Sequence, residues 1–179
     1  DGRYVAFLTD ATNLFPDDGQ TFDIVVKDRE TGAITPIGPA EPESPFGGYD
    51  ATLTSDGSLI AYSTQPESNR WFGSIFSRDN ELVRTSSARD ITISGDGSTY
   101  TYARQGSAVE VRRVDDNQLL YDSGDVDGLA PSLSDDGSTL AFSNWNYSEI
   151  RLIDVETGDE EVVTVPSFDF FFAYSLAMS

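Results

Sequence analysis

The sequence predicts an all-β protein: a four-bladed β-propeller with four-stranded antiparallel blades, closed by the C-terminal strand. Three observations carry this prediction. An Asp-Gly-centred segment occurs four times, at Asp1-Gly2, Asp56-Gly57, Asp96-Gly97 and Asp136-Gly137, and the last three copies are 40 residues apart. Apolar and polar residues alternate around each copy, and no segment shows a capped helical period. The last residues, Leu176-Ala177-Met178-Ser179, match the short strand that precedes each later Asp-Gly. A period near 40 with alternating strands is the signature of propeller blades.

Each element follows from local chemistry. Ala51-Thr52-Leu53, Ile91-Thr92-Ile93 and Pro131-Ser132-Leu133 read as the innermost strands. Asp-Gly then makes a tight hairpin, because Gly accepts positive φ and Asp bonds its own local backbone. A second strand follows, with Ala61, Thr101 and Ala141 at one equivalent position and Tyr62, Tyr102 and Phe142 beside them. A small residue next to a ring suits close packing of neighbouring sheets. Third strands are expected at 23–27, 74–77, 109–114 and 150–154, and outer strands at 33–37, 82–85, 119–122 and 161–165. The blades then span about 1–38 plus 170–179, 49–86, 89–124 and 129–166, as a single domain.

The register of the ends suggests closure. One further residue would join Ser179 to Asp1 in phase with the repeat, as expected for one period of a tandem array. The strand from Tyr174 to Met178 either completes the chain's own first blade or inserts into a neighbouring copy, and the first outcome is the expected one. The opening in mid-motif, with no initiator Met or signal peptide, suggests a mature or excised piece of something longer.

The motifs resemble the TolB-like, or WD40-like, β-propeller repeats of bacterial and archaeal surface and periplasmic proteins. The matching residues are Ser94-Gly95-Asp96-Gly97, Ser134-Asp135-Asp136-Gly137, Ala141-Phe142-Ser143 and Asp154-Val155-Glu156-Thr157-Gly158. The resemblance covers nearly the whole chain and implies an extracellular, cell-surface or periplasmic propeller. TolB-like propellers commonly have more than four blades, so the blade number departs from the family. Propellers host many functions, so the resemblance carries fold further than activity.

Composition narrows the chemistry. The chain has 31 acidic and 11 basic residues, a net charge of −20, and Lys27 is its one lysine. Such a surface repels nucleic acid and anionic lipid. No run of about 18 apolar residues exists, and Phe168 to Met178 is short and interrupted by Asp169, so no membrane insertion is expected. Histidine and cysteine are absent, which removes the Ser/His/Asp triad, thiolate chemistry and the usual zinc ligands.

Three candidate sites remain. The long connection of blade 1 offers Asp10, Asn13, Asp17, Asp18 and Asp23, hard oxygen ligands suited to calcium but without EF-hand spacing. Asn146-Tyr147-Ser148 is a glycosylation sequon at Asn146. Trp71, Phe72, Trp145 and Tyr147 fall in equivalent loops of blades 2 and 4 as a candidate contact face, and Phe170, Phe171 and Phe172 form an apolar run before the closing strand. The sequence thus points to a non-catalytic structural or protein-interaction module. Its expected partners are other protein subunits, including copies of itself, in an extracellular assembly such as a filament. The alternative is a ligand-binding or regulatory propeller cut from a larger enzyme or sensor.

Overall fold

The computed structural model describes residues 2–9, 11, 13–14, 23–38, 48–67, 70–104, 108–124, 126, 128–144 and 148–164. They form fifteen strands in four antiparallel sheets, the blades of a four-bladed β-propeller. Blade 1 contains β1 (Tyr4–Thr9), β2 (Asp23–Asp28) and β3 (Ile34–Ile37). Blade 2 contains β4 (Gly48–Leu53), β5 (Leu59–Glu67), β6 (Arg70–Ser77) and β7 (Leu82–Ser86). Blade 3 contains β8 (Ala88–Ile93), β9 (Thr99–Arg104), β10 (Val109–Arg113) and β11 (Leu119–Asp122). Blade 4 contains β12 (Gly128–Leu133), β13 (Thr139–Asn144), β14 (Glu149–Asp154) and β15 (Glu160–Thr164). In each sheet the strands pair in chain order, so every blade is a meander. Blade 1 shows three strands among the described residues, and the closing strand expected near 170–179 lies outside them.

The Asp-Gly hairpins are built identically three times. The Thr54, Ser94 and Ser134 hydroxyls each donate 2.7 Å bonds to Oδ1 of Asp56, Asp96 and Asp136. The same hydroxyls accept from the backbone N–H of Leu59, Thr99 and Thr139. Each Asp Oδ1 also accepts from the N–H two residues on, at Ser58, Ser98 and Ser138. Gly57, Gly97 and Gly137 hold φ between 68° and 74°, a region open to glycine. A Cβ at Gly57 would overlap the Tyr4 ring, and one at Gly137 the Thr99 side chain. The glycine therefore serves the turn and also the approach of the preceding blade.

The inner strands begin three residues earlier than hydrophobic alternation suggests, at Gly48, Ala88 and Gly128. The reason is a bulge in each, where the register shifts between Tyr49 and Ala51, Arg89 and Thr92, and Leu129 and Ser132. Asp90 and Ala130 sit there with φ of 51° and 49°. A bulge inverts the face that each side chain points to, so simple alternation shows only the half beyond it.

The core lies between blades. Ile24, Val26 and Ile37 of blade 1 pack with Ile60, Tyr62 and Phe76 of blade 2. Ala61 and Ile75 of blade 2 pack with Ala88, Ile91, Ile93, Tyr100 and Tyr102 of blade 3. Val109 and Val111 of blade 3 pack with Leu133, Leu140, Phe142 and Ile153 of blade 4. The small residue of each Ala-aromatic pair faces the next blade while the ring faces the previous one. Each buried large side chain contributes about 1.5–3 kcal/mol, so the junctions hold the ring together.

Candidate interaction surface

The Asp-Gly turns converge at one end of the molecule. Ser55 N–H donates to the Gly95 carbonyl at 2.7 Å, and Asp96 N–H to the Asp135 carbonyl at 2.8 Å. The Ser55 hydroxyl donates to Asp135 Oδ1 at 2.5 Å, joining blades 2 and 4 directly. Gly95 has no room for a side chain, because a Cβ there would overlap the Asp135 carboxylate and approach Ser55 Oγ. The hub's carboxylates are committed to these bonds. Hydrogen bonds from Ser58 and Thr54 hold the Asp56 carboxyl down at about 2, and those from Ser138 and Ser134 hold Asp136 at about 2. Such groups are poor proton carriers near neutral pH.

The calcium candidates are not assembled among the described residues. Asn13 is exposed, Asp23 opens β2, and Asp10, Asp17 and Asp18 lie outside the described residues. No group of three or more acidic residues among the described ones is placed to hold a metal ion. Trp145, Asn146, Tyr147 and Phe170 to Phe172 also lie outside them.

Trp71 and Phe72 are described, and they belong to strand β6 rather than to a loop. The β5–β6 hairpin carries the sheet out to Glu67 and Arg70, so the strand starts four residues before the expected Ser74. Both rings are partly buried. The Arg89 guanidinium of blade 3 sits 5.0 Å from the Trp71 ring, and Arg70 sits 5.0 Å from Phe72. Such cation–π contacts contribute about 0.5–2 kcal/mol each. Arg3 and Arg78 likewise flank Tyr4 at 4.9 and 4.7 Å, tying blade 1 to blade 2. The Trp71 and Tyr4 rings thus take part in joining blades, whereas the Arg70–Phe72 pair lies within blade 2.

One polar cluster was not among the sequence-based candidates. Glu110 of β10 is fully buried and faces blade 2. Its Oε2 accepts from Tyr102 OH at 2.6 Å and from Arg112 Nε at 2.7 Å, and Arg104 pairs with Oε1. A signal was available: Glu110 stands between Val109 and Val111 with Arg112 two residues on, an ion pair on one face of an otherwise apolar strand.

The faces of blades 4 and 1 that would meet are unevenly covered: Val25, paired with Phe7 on the Val5 side of blade 1, is fully buried. Val5 occupies the position held by Ile60, Tyr100 and Leu140 in the other blades. It is 42% exposed where those are 0–1%. Across from it, Ile150 and Leu152 are partly buried, whereas their counterparts Val26, Ile75, Val109 and Val111 are buried. Val163 beside them is 42% exposed. Among the described residues, no apolar cluster joins blade 4 to blade 1.

No known family model matches the sequence, and no curated protein matches it. In structure the chain is similar to the β-propeller domain of Myceliophteria thermophila Cps50 (Swd1), with a TM-score of 0.55 and 12% identity. The match covers 81% of this chain and 55% of that one, so the chain spans about half its length. At that identity the likeness speaks to the fold, and with the four antiparallel sheets it makes this protein a β-propeller.

Proposed function

We propose that this propeller is a non-catalytic structural and protein-interaction module, a building block of an extracellular or cell-surface assembly such as a filament. The observation that carries the reading is the exposed apolar surface on blades 1 and 4, where Val5 and Val163 are each 42% exposed. An apolar face flanking a sheet edge is a contact surface for protein. The tied-up carboxylates of the hub support a role without turnover, and the bonds there between blades 2, 3 and 4 favour a rigid scaffold. The resemblance of the repeats to TolB-like propellers is what supports an exported location. Calcium bound by the 10–23 connection would brace that scaffold rather than serve chemistry.

Light scattering across a dilution series tests the reading. A building block forms particles larger than one chain that persist on dilution. A clean monomer at all concentrations would overturn it and return the protein to the class of cut-out ligand-binding propellers.

A further inference from the structure

We infer that the outer half of the junction between blades 2 and 3 is a binding site for a small carboxylate anion, held by the guanidinium group of Arg84 with Arg112 beside it. The site is built from described strands and turns, and it stands apart from the building-block reading.

Register puts these residues on facing sheets. Arg84 of β7 pairs with Ile75, which packs against blade 3, so the Arg84 side chain leaves β7 on that same face. Across the junction, Arg112 pairs with Tyr100 and Glu110 with Tyr102, and both rings belong to the core shared with blade 2. The Tyr100 hydroxyl donates to Asn117 Oδ1. Burial raises that hydroxyl above its usual value, and Arg112, Ser86 and Arg84 around it act the other way. The fold does not demand a cation here. The position of Arg84 holds Thr35 opposite Val26 in blade 1 and Tyr121 opposite Val111 in blade 3.

The charges at this junction do not balance. Glu110 is its buried carboxylate, and Arg104 and Arg112 both pair with it. Asp122, opposite Glu110 on β11, is exposed and accepts from Gly124 N–H instead. Arg84 makes no ion pair among the described residues. Its Nη1 donates to the Val83 carbonyl at 2.9 Å and its Nη2 to the Asp115 carbonyl, while Nε is enclosed and meets no acceptor. Two neutral carbonyls thus fix the plane of the guanidinium group and leave its charge uncompensated, in a chain with 31 acidic residues. The remaining N–H donors form a fork that a planar carboxylate meets with two parallel bonds. Enclosure of Nε favours a small anion over a peptide side chain.

The probe is sodium acetate, exchanged for sodium chloride at constant ionic strength in the full chain, so that general screening of the net charge stays fixed. Two quantities are read: the melting temperature, and the Arg84 Nε–H signal in proton–nitrogen NMR spectra. At about ten times its Kd, acetate should raise the melting temperature of the parent by about 3 °C and move the Arg84 signal along a saturable curve. Arg84→Gln should lose the thermal shift. Arg84→Lys, which keeps the charge and loses the fork, should lose most of it. Arg113→Gln, which alters an exposed pair with Asp116, should keep it in full. A flat response in the parent, or an equal one in Arg84→Gln, overturns the site. Should Arg84→Gln fail to fold, Arg84→Lys makes the comparison, and an Arg84 signal in the parent that acetate does not move overturns the site by itself.

Discussion

At the scale of single residues, two side-chain sites dominate. Glu110 is a fully buried carboxylate held by Tyr102, Arg104 and Arg112. Removing its charge leaves the Arg112 and Arg104 guanidinium groups facing a neutral amide at the junction of blades 2 and 3. Glu110→Gln should therefore lower stability by about 3 kcal/mol, read by urea denaturation. A change below about 0.5 kcal/mol would show that the cluster is hydrated and inert. Gly95 is limited by space, because its missing Cβ is the room that Asp135 uses to reach Ser55. Gly95→Ala should cost about 1–3 kcal/mol, and much of that should return in the Gly95→Ala/Asp135→Ala double variant, which makes room at the hub. Additive losses in the cycle would show that the two residues do not share that space.

At the scale of elements, the repeated turn is a pH-sensitive part. Folding depresses the Asp56 and Asp136 carboxyls to about 2, mainly through bonds from Ser58 and Ser138. The unfolded value is near 3.9. A depressed carboxylate contributes stability that is fully present above the unfolded value and is lost as pH falls through the folded one. The loss should therefore run from about pH 4 down to about 2. Asp56→Asn/Asp136→Asn keeps an oxygen acceptor but cannot titrate, so its melting temperature should fall less steeply than that of the parent across this window. Parallel curves would show that these turns do not set the acid limit. The outer turns carry a second device. Asn80 holds φ of 63°, where blades 1 and 4 use Gly32 and Gly158. Its side chain also accepts from Gly38 N–H at 2.7 Å and donates to the Gly38 carbonyl at 3.1 Å. Asn80→Gly preserves the backbone and deletes the clasp, so a loss of about 1 kcal/mol in chemical denaturation measures the bond between blades 1 and 2.

At the scale of the whole molecule, charge and closure matter most. A net charge of −20 on 179 residues opposes compaction through self-repulsion. Added salt shortens the screening length from about 10 Å at 0.1 M to about 3 Å at 1 M. Thermal stability should therefore rise between those salt concentrations, and a flat or falling profile would mean that attractive ion pairs such as Arg3–Asp28 outweigh the repulsion. Any assembly of such acidic copies should likewise strengthen with salt, in keeping with contact through apolar Val5 and Val163 rather than through charge.

Blade number, strand order and turn positions were legible in the sequence because each rests on short-range chemistry. The Ser/Thr-x-Asp-Gly hydrogen bonds and the positive φ of the glycine lie within six residues of one another, and they repeat. The identity of the small and large faces was legible for the same reason, as Ala61 with Tyr62 and Ala141 with Phe142 show. The bulges at Asp90 and Ala130 were not legible, because they come from fitting a strand to its partner and leave no alternation to read. Nor was the placing of Trp71 in a strand against Arg89, since that contact joins two blades. The bond from Ser55 to Asp135 spans 80 residues and exists only because a four-bladed ring brings opposite turns together. Local chemistry thus determined the parts and their order. Which faces meet and which carboxylate is buried were decided by tertiary packing, where distant residues set each other's solvent.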